Sequence, residues 1–286
     1  MYSKMQATIQ QEVSFEGKTL FSGEMVSVRL IPAPENTGII FRRTDLEDSP
    51  SIHARTEQVT HAPRTTKIAH PHRIDCTVQT IEHAMAAFFA CQITNLIVAV
   101  NGPEMPIFDG SSLPFTEKIV KAGLVEQNKA RIQYELTNPC YVTFQDTQLI
   151  ALPANEFRVT YLLHYPENAL LQSQYFSSAI TSQSFQEEVA PARTFALYEE
   201  VLSLMKKGIL KNNGLEHGIV IDGSKVLNAD GVRFPNEMVR HKVLDMVGDI
   251  SLLGWALNVH LIGIKTGHTA NHAMAKQLRN LLKEQS

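Results

Sequence analysis

Twice along this chain a block of strand-like segments gives way to a helix–strand–helix triplet, and this repeated order constrains the fold more than any single motif does. In the first half EMVSVRLI (24–31) alternates, with Val26, Val28 and Leu30 on one face, and TGIIF (37–41) follows the breaker run PAPENTG. The triplet is TVQTIEHAMAAFFA (77–90), a helix with Thr77 as its expected cap, then NLIVAV (95–100), a buried strand, then LPFTEKIVKAGL (113–124), a helix stopped by Gly123. In the second half RIQYEL, YVTFQ, QLIALP and FRVTYLLHY read as strands, ALYEEVLSLMKKG (196–208) as a helix and HGIVID (217–222) as a strand. VRHKVLDMVGDI (239–250), NVHLIGIK (258–265) and TANHAMAKQLRNLLKE (269–284) form the second triplet. The pattern predicts duplicated α+β units, and the polar run EQNKAR (126–131) puts their boundary near residue 127, giving 1–127 and 128–286. Periodicity is weak over the Pro- and His-rich residues 51–75, which read as an inserted loop or small sheet.

Composition narrows the function. With 286 residues and 44% hydrophobic content the chain can bury a sizeable core. A formal net charge of −3 and the lack of a long basic tract exclude an electrostatic grip on nucleic acid. Cys76, Cys91 and Cys140 are far apart with no CxxC pair, which argues against a disulfide framework or thiolate cluster and fits a reducing cytoplasm. The N-terminal MYSKMQATIQQEVSF lacks a signal-peptide core, so the mature chain is expected to start there. The most apolar window, MVGDISLLGWALNVHLIGI, is broken by Asp249, Asn258 and His260 and falls short of the ~18 clean residues of a membrane span.

Chemistry gathers in VRHKVLDMVGDI. At roughly 100° per residue, Asp245 lies about 40° and Asp249 about 80° round the helix from His241, so the three share one stripe. Val239, Val243, Met246, Ile250 and Leu253 fill the other side, which leaves little of this helix for water. A buried carboxylate needs a cation, a hydrogen-bond network or a metal. His241 and Asp245 can both reach one divalent ion, and a catalytic zinc takes a third protein ligand while leaving one position open. The first-half helix offers His83, with Glu82 beside it, turned so that it could face a reacting water as general base. The ion would then join the two halves, with the active site in the cleft between them. Two bland alternatives stand at this point: an HxxxD pair is common on surface helices, and a lone buried histidine is often satisfied by a backbone carbonyl. His268 and His272 form a rival i, i+4 pair without a suitable acid in sequence, His272 reads equally as solvent-facing, and the HPH of 70–72 reads as a loop. His268, at a strand-to-helix turn, would edge the same cleft and could act as an acid.

Several long segments resemble one family almost end to end: PAPENTGIIFRRTDL (32–46), TIEHAMAAF (80–88), NGPEMPIFDGSSLPF (101–115), ARTFAL (192–197), VRHKVLDMVGDI and KTGHTANH (265–272). They are similar to the zinc-dependent UDP-3-O-acyl-N-acetylglucosamine deacetylases of lipid A biosynthesis, the LpxC family. The resemblance implies two layered α/β-sandwich domains, each with a small insert, the second lying within about 197–224 and forming a hydrophobic passage for an acyl chain. Leu202, Met205, Ile209, Leu210 and Leu215 supply apolar surface there. It further implies zinc, with ferrous iron as the alternative, on His83, His241 and Asp245, and Glu82 as general base. Thr194 would stabilise the oxyanion beside the metal, His268 would be the cationic proton donor, and Asp249 would keep it oriented and charged. Lys242 is expected to meet the sugar or diphosphate and Phe195 the sugar or acyl face.

One departure matters: where the family reads GLHSG or GLHTG this chain reads TLFSG, so Phe21 replaces a histidine and cannot transfer a proton or hydrogen-bond. No further domain is expected after the last helix. The implied activity is removal of the N-acetyl group from a UDP-linked acylated aminosugar by a cytoplasmic monomer without a membrane span, peripheral membrane contact being left open. A non-catalytic nucleotide-sugar binding protein on the same fold is the rival, and Glu82, His268 and Asp249 speak against it. A hydrolase of another amide is a third reading.

Overall fold

In the computed structural model, which describes residues 3–210, 214–254 and 256–283, Val26, Val28 and Leu30 are buried while Met25 and Arg29 face outward, the alternation of a half-buried strand. Five strands make the first main sheet: β1 (Val13–Lys18), β2 (Met25–Pro32), β3 (Ile39–Arg43), β4 (Ser51–His53) and β5 (Leu96–Val100). Their spatial order is β1-β2-β5-β3-β4, with only the β5–β3 pair parallel. The second sheet holds β6 (Cys140–Phe144), β7 (Thr147–Pro153), β8 (Phe157–Tyr165), β9 (Gln172–Ala179) and β10 (Ala256–Ile264) in the order β6-β7-β10-β8-β9, again with only the central β10–β8 pair parallel. The short strand Gln133–Glu135 adds to β10 in parallel. The two main sheets thus share strand order and direction, within a mixed α+β architecture.

Five helices matter for the site: α1 (Glu82–Ala90), α2 (Leu113–Ala122), α3 (Tyr198–Lys206), α4 (Glu237–Ser251) and α5 (His268–Lys283). Every residue of α1 is buried, and Ala84, Ala86, Ala87 and Ala90 keep its surface low enough for close packing against α4. At the crossing, a Cβ added to Gly248 would sit 2.1 Å from the carbonyl oxygen of Glu82, so the two backbones meet with no side chain between them. Buried apolar side chains form two clusters, one on each main sheet. Ala86, Phe89 and Ala90 of α1 reach into the second cluster, and Leu252, just beyond α4, reaches into the first.

Each half carries a small three-stranded sheet. Val59–Thr60, Lys67–His70 and Arg73–Gln79 form the first, which resolves the weakly patterned 51–75 region, with HPH at its hairpin turn. Phe195–Leu197, Ile219–Asp222 and Lys225–Val226 form the second, with α3 beside it. Residues 211–213 of the 197–224 insert, and Glu284 at the end of the last expected helix, lie outside the described residues.

One expectation changes. Thr77 does not cap α1; it lies in the strand Arg73–Gln79, whose β-branched Thr77 and Val78 suit a pleated, half-buried surface, and α1 begins only at Glu82 with no side-chain cap. The polar run EQNKAR falls largely within a strand, Leu124–Ala130, paired antiparallel with Met5–Ile9. That strand is largely exposed, so polarity there reports solvent on its surface and not chain flexibility. Among the described residues no helix is long and apolar enough to cross a membrane.

Candidate metal centre and active site

The stripe on α4 is buried as its carboxylates require: His241, Asp245 and Asp249 are 1%, 5% and 0% exposed. His83 of α1 meets the first two. Its ring lies edge-on to that of His241 with centroids 4.9 Å apart, and the Nε2 atoms of His83 and His241 stand 3.8 and 3.3 Å from Asp245 Oδ1. The possible ligand atoms of the three residues all lie within 4.8 Å of one another. His241 Nδ1–H donates to the Ala192 carbonyl at 3.0 Å, which fixes the tautomer and turns the Nε2 lone pair toward Asp245. Burial pushes the His83 imidazole down to about 3, with His241 adding to the effect, and burial lowers His241 as well, so both rings are neutral donors. Burial opposes ionisation of Asp245, but the Lys242 ammonium and the nearby imidazoles hold its carboxyl well below the usual range. Nδ1 of His83 is buried with no hydrogen-bond partner among the described residues, so the carbonyl-satisfied alternative does not hold. Two neutral imidazoles and one carboxylate converging in a buried site suit zinc or ferrous iron.

Glu82 opens α1 and is fixed from the small sheet. Thr65 Oγ1 donates to its carboxylate at 3.1 Å and the Thr66 backbone N–H at 3.0 Å. Thr80, just ahead of the helix, has φ 58°, a costly conformation for a β-branched residue, and its N–H donates to Thr65 Oγ1 at 2.9 Å. Burial pushes Glu82 up to about 7, helped by the Asp249 and Asp245 charges and opposed by His268.

On the other side of Glu82, His268 Nε2 stands 4.0 Å from Glu82 Oε1, while its Nδ1 donates to Asp249 Oδ2 at 2.8 Å. Asn271 Nδ2 donates to the same oxygen at 2.8 Å. His272 is not a bystander facing water: its Nε2 lies 2.9 Å from Thr66 Oγ1 and 3.3 Å from Asp249 Oδ1. The acid that the His268/His272 pair lacked in sequence is therefore Asp249, from another helix.

Glu82, His83, Thr194, Phe195, His241, Lys242, Asp245 and His268 all line one cleft of about 990 Å³, and Asp249 sits behind it. Lys242 Nζ pairs with Asp245 Oδ2 at 2.9 Å and stands 5.6 Å from the Phe195 ring centroid, so it is no freely solvated lysine. Thr194 is held by its backbone, its N–H donating to Gly110 at 2.8 Å and its carbonyl accepting from Ile219 at 2.7 Å. The apolar end of the cleft is lined by Val201, Leu204, Met205, Leu210 and Leu215 from the insert and by Phe21, whose carbonyl accepts from the Leu210 N–H at 3.2 Å. Leu202 faces elsewhere, a shallow hollow with Lys206 and Lys207. Arg64, from the loop before the first small sheet's second strand, pairs with Glu200 of α3 at 2.7 Å, joining two segments that both line the cleft. Thr65, Thr66, Asn271 and Arg64 gave no signal in the sequence, since their partners are remote and 51–75 has no clear period.

The family model described as UDP-3-O-acyl N-acetylglycosamine deacetylase (LpxC) matches residues 6–280. The UDP-3-O-acyl-N-acetylglucosamine deacetylase of Chlamydia abortus is 38% identical over 282 residues, covering 99% of both chains. That of Chlamydia pneumoniae is 37% identical over 283 residues, again 99% of both. The Chlamydia trachomatis serovar L2 protein of the same name is 35% identical over 286 residues, 100% of this chain and 98% of the relative.

Proposed function

This chain belongs to the UDP-3-O-acyl N-acetylglycosamine deacetylase (LpxC) family, and on that footing we propose that it is a zinc-dependent hydrolase that removes the N-acetyl group from UDP-3-O-acyl-N-acetylglucosamine in lipid A biosynthesis. The observation that carries this reading is the convergence of His83, His241 and Asp245, with Glu82 and His268 4.0 Å apart beside them. His83, His241 and Asp245 would hold the ion. When bound, it supplies Lewis-acid polarisation and lowers the pKa of a water.

Glu82, anchored by Thr65 and Thr66, takes the proton of the attacking water. The Thr194 hydroxyl donates toward the acetyl oxygen as negative charge develops there. His268, kept charged by Asp249, gives a proton to the departing sugar nitrogen, without which the amine does not leave. Lys242 contacts the polar sugar or diphosphate, and Phe195 the sugar or acyl face. The insert wall shelters the acyl chain.

The matching order of the two main sheets supports two similar layered units, 1–127 and 128–286, with the site in the cleft between them. Within this reading the protein works in the cytoplasm as a monomer. The test is acetate release from UDP-3-O-acyl-N-acetylglucosamine with a series of acyl lengths, metal content being measured on the same sample. Metal-loaded protein that binds the sugar nucleotide and frees no acetate would be a binding protein, and the reading would fall.

A further inference from the structure

The fully buried Asp249 receives four donors, two on each oxygen. His268 Nδ1 and Asn271 Nδ2, both at 2.8 Å, share Oδ2, while Thr66 Oγ1 at 2.5 Å and His272 Nε2 at 3.3 Å share Oδ1. Thr66 has one hydroxyl proton, and its shortest contact sends that proton to Asp249. Its oxygen therefore accepts in the 2.9 Å contact with His272, which must carry a proton on Nε2. The groups facing His272 are Thr66 from the small-sheet side, Asp249 from α4 and His268 from its own helix, with ring centroids 6.1 Å apart.

The geometry points to His272 as a positioning residue for His268: with Thr66 it occupies one oxygen of Asp249 and thereby keeps the other on the imidazole that faces the cleft. Two consequences support this. The terminal torsion of a carboxylate is broad, so donors on both oxygens are what hold Asp249 in one orientation. Thr66 Oγ1 is also only 3.3 Å from His268 Nδ1. Once relieved of His272, that oxygen is free to accept the His268 proton and draw the ring away from its carboxylate. His272 touches neither the reacting cleft nor the ligand set and acts through Thr66 and Asp249.

The inference rests on His268 being the proton donor, and the test separates the two claims. His272→Leu, which removes the donor, is compared with His272→Gln, which can restore an N–H near Nε2, both in the metal-loaded full chain. The kcat of the Leu variant should fall about tenfold, in the range seen when such supporting hydrogen bonds are lost, with KM unchanged and the basic limb of the rate profile moved to lower pH. The Gln variant should recover most of both. Imidazole ¹⁵N resonances of the wild-type protein should show His272 protonated on Nε2, and the Leu variant should show a weakened His268 Nδ1–H bond. An Nδ1–H tautomer at His272, an unmoved His268 resonance and limb in the Leu variant, or equal losses in folded Leu and Gln variants would each overturn the proposal. If the chain frees no acetate at all, the proposed function fails while the resonances still report on His272.

Discussion

His268 Nδ1 meets Asp249 Oδ2 at 2.8 Å, joining the first residue of α5 to the last turns of α4. Burial alone would lower the imidazole pKa, but the Asp249 charge and hydrogen bond outweigh it and hold the group at about 10. The donor form disappears as pH rises through that value, so kcat/KM should fall on the basic side. Asp249→Asn should move this limb to lower pH, and an unmoved limb would show that Asp249 does not sustain the charge. The same shift stabilises the fold. Because the folded value lies above the 6.5 of an ordinary imidazole, the contribution is fully present below about 6.5 and is lost as pH climbs toward about 10. Denaturant titrations across that window should show wild type losing more stability than His268→Gln.

Glu82→Gln keeps the shape of the side chain and removes the proposed base. Acetate release should drop by about 10²–10⁴-fold while metal content stays unchanged. Equal turnover in the variant would remove Glu82 from the mechanism.

Loss of one ligand should be visible without any assay of turnover. His83→Ala, His241→Ala and Asp245→Ala should each fail to retain stoichiometric metal in elemental analysis. Chelation of the wild type should lower its Tm, because an ion that binds only the folded chain adds about 2.7 kcal/mol at about 100 times its Kd. Full metal occupancy in His83→Ala would show that the ion is bound elsewhere.

Gly248→Ala tests the helix crossing. A methyl 2.1 Å from the Glu82 carbonyl forces α1 and α4 apart. The expected cost is about 1–3 kcal/mol or more of stability, with a loss of activity, since α1 carries the proposed base and one proposed ligand and α4 carries the other two. A variant with wild-type Tm and turnover would mean that the helices do not meet at this backbone contact.

The residues that converge in the cleft were more legible in the sequence than the scaffold that brings them together. The i, i+4 spacing on an otherwise apolar helix was enough to mark His241, Asp245 and Asp249, because helical periodicity is local. His83 and Glu82 followed from the matching helix of the other half. Strand order was not readable, since β5 and β10 reach their parallel neighbours through pairings that no local pattern encodes. The strand through EQNKAR was not readable, since a mostly exposed strand has the same polarity as a loop. Thr77 misled because a residue with good capping chemistry is equally suited to a strand. Thr66 and His272 were invisible as a pair, being 206 residues apart and joined only where α5 meets the loop before Lys67–His70.

The Arg64–Glu200 bridge is made by half-exposed side chains, 48% and 39% accessible, so its strength belongs as much to the buffer as to the protein. Because Arg64 and Glu200 both line the cleft, the proposed acyl passage would carry on its wall a contact that weakens as salt rises, and any chain-length preference there would be a joint property of sequence and ionic strength. A series of acyl lengths assayed at one fixed ionic strength would hold that contact constant and rank the chains themselves.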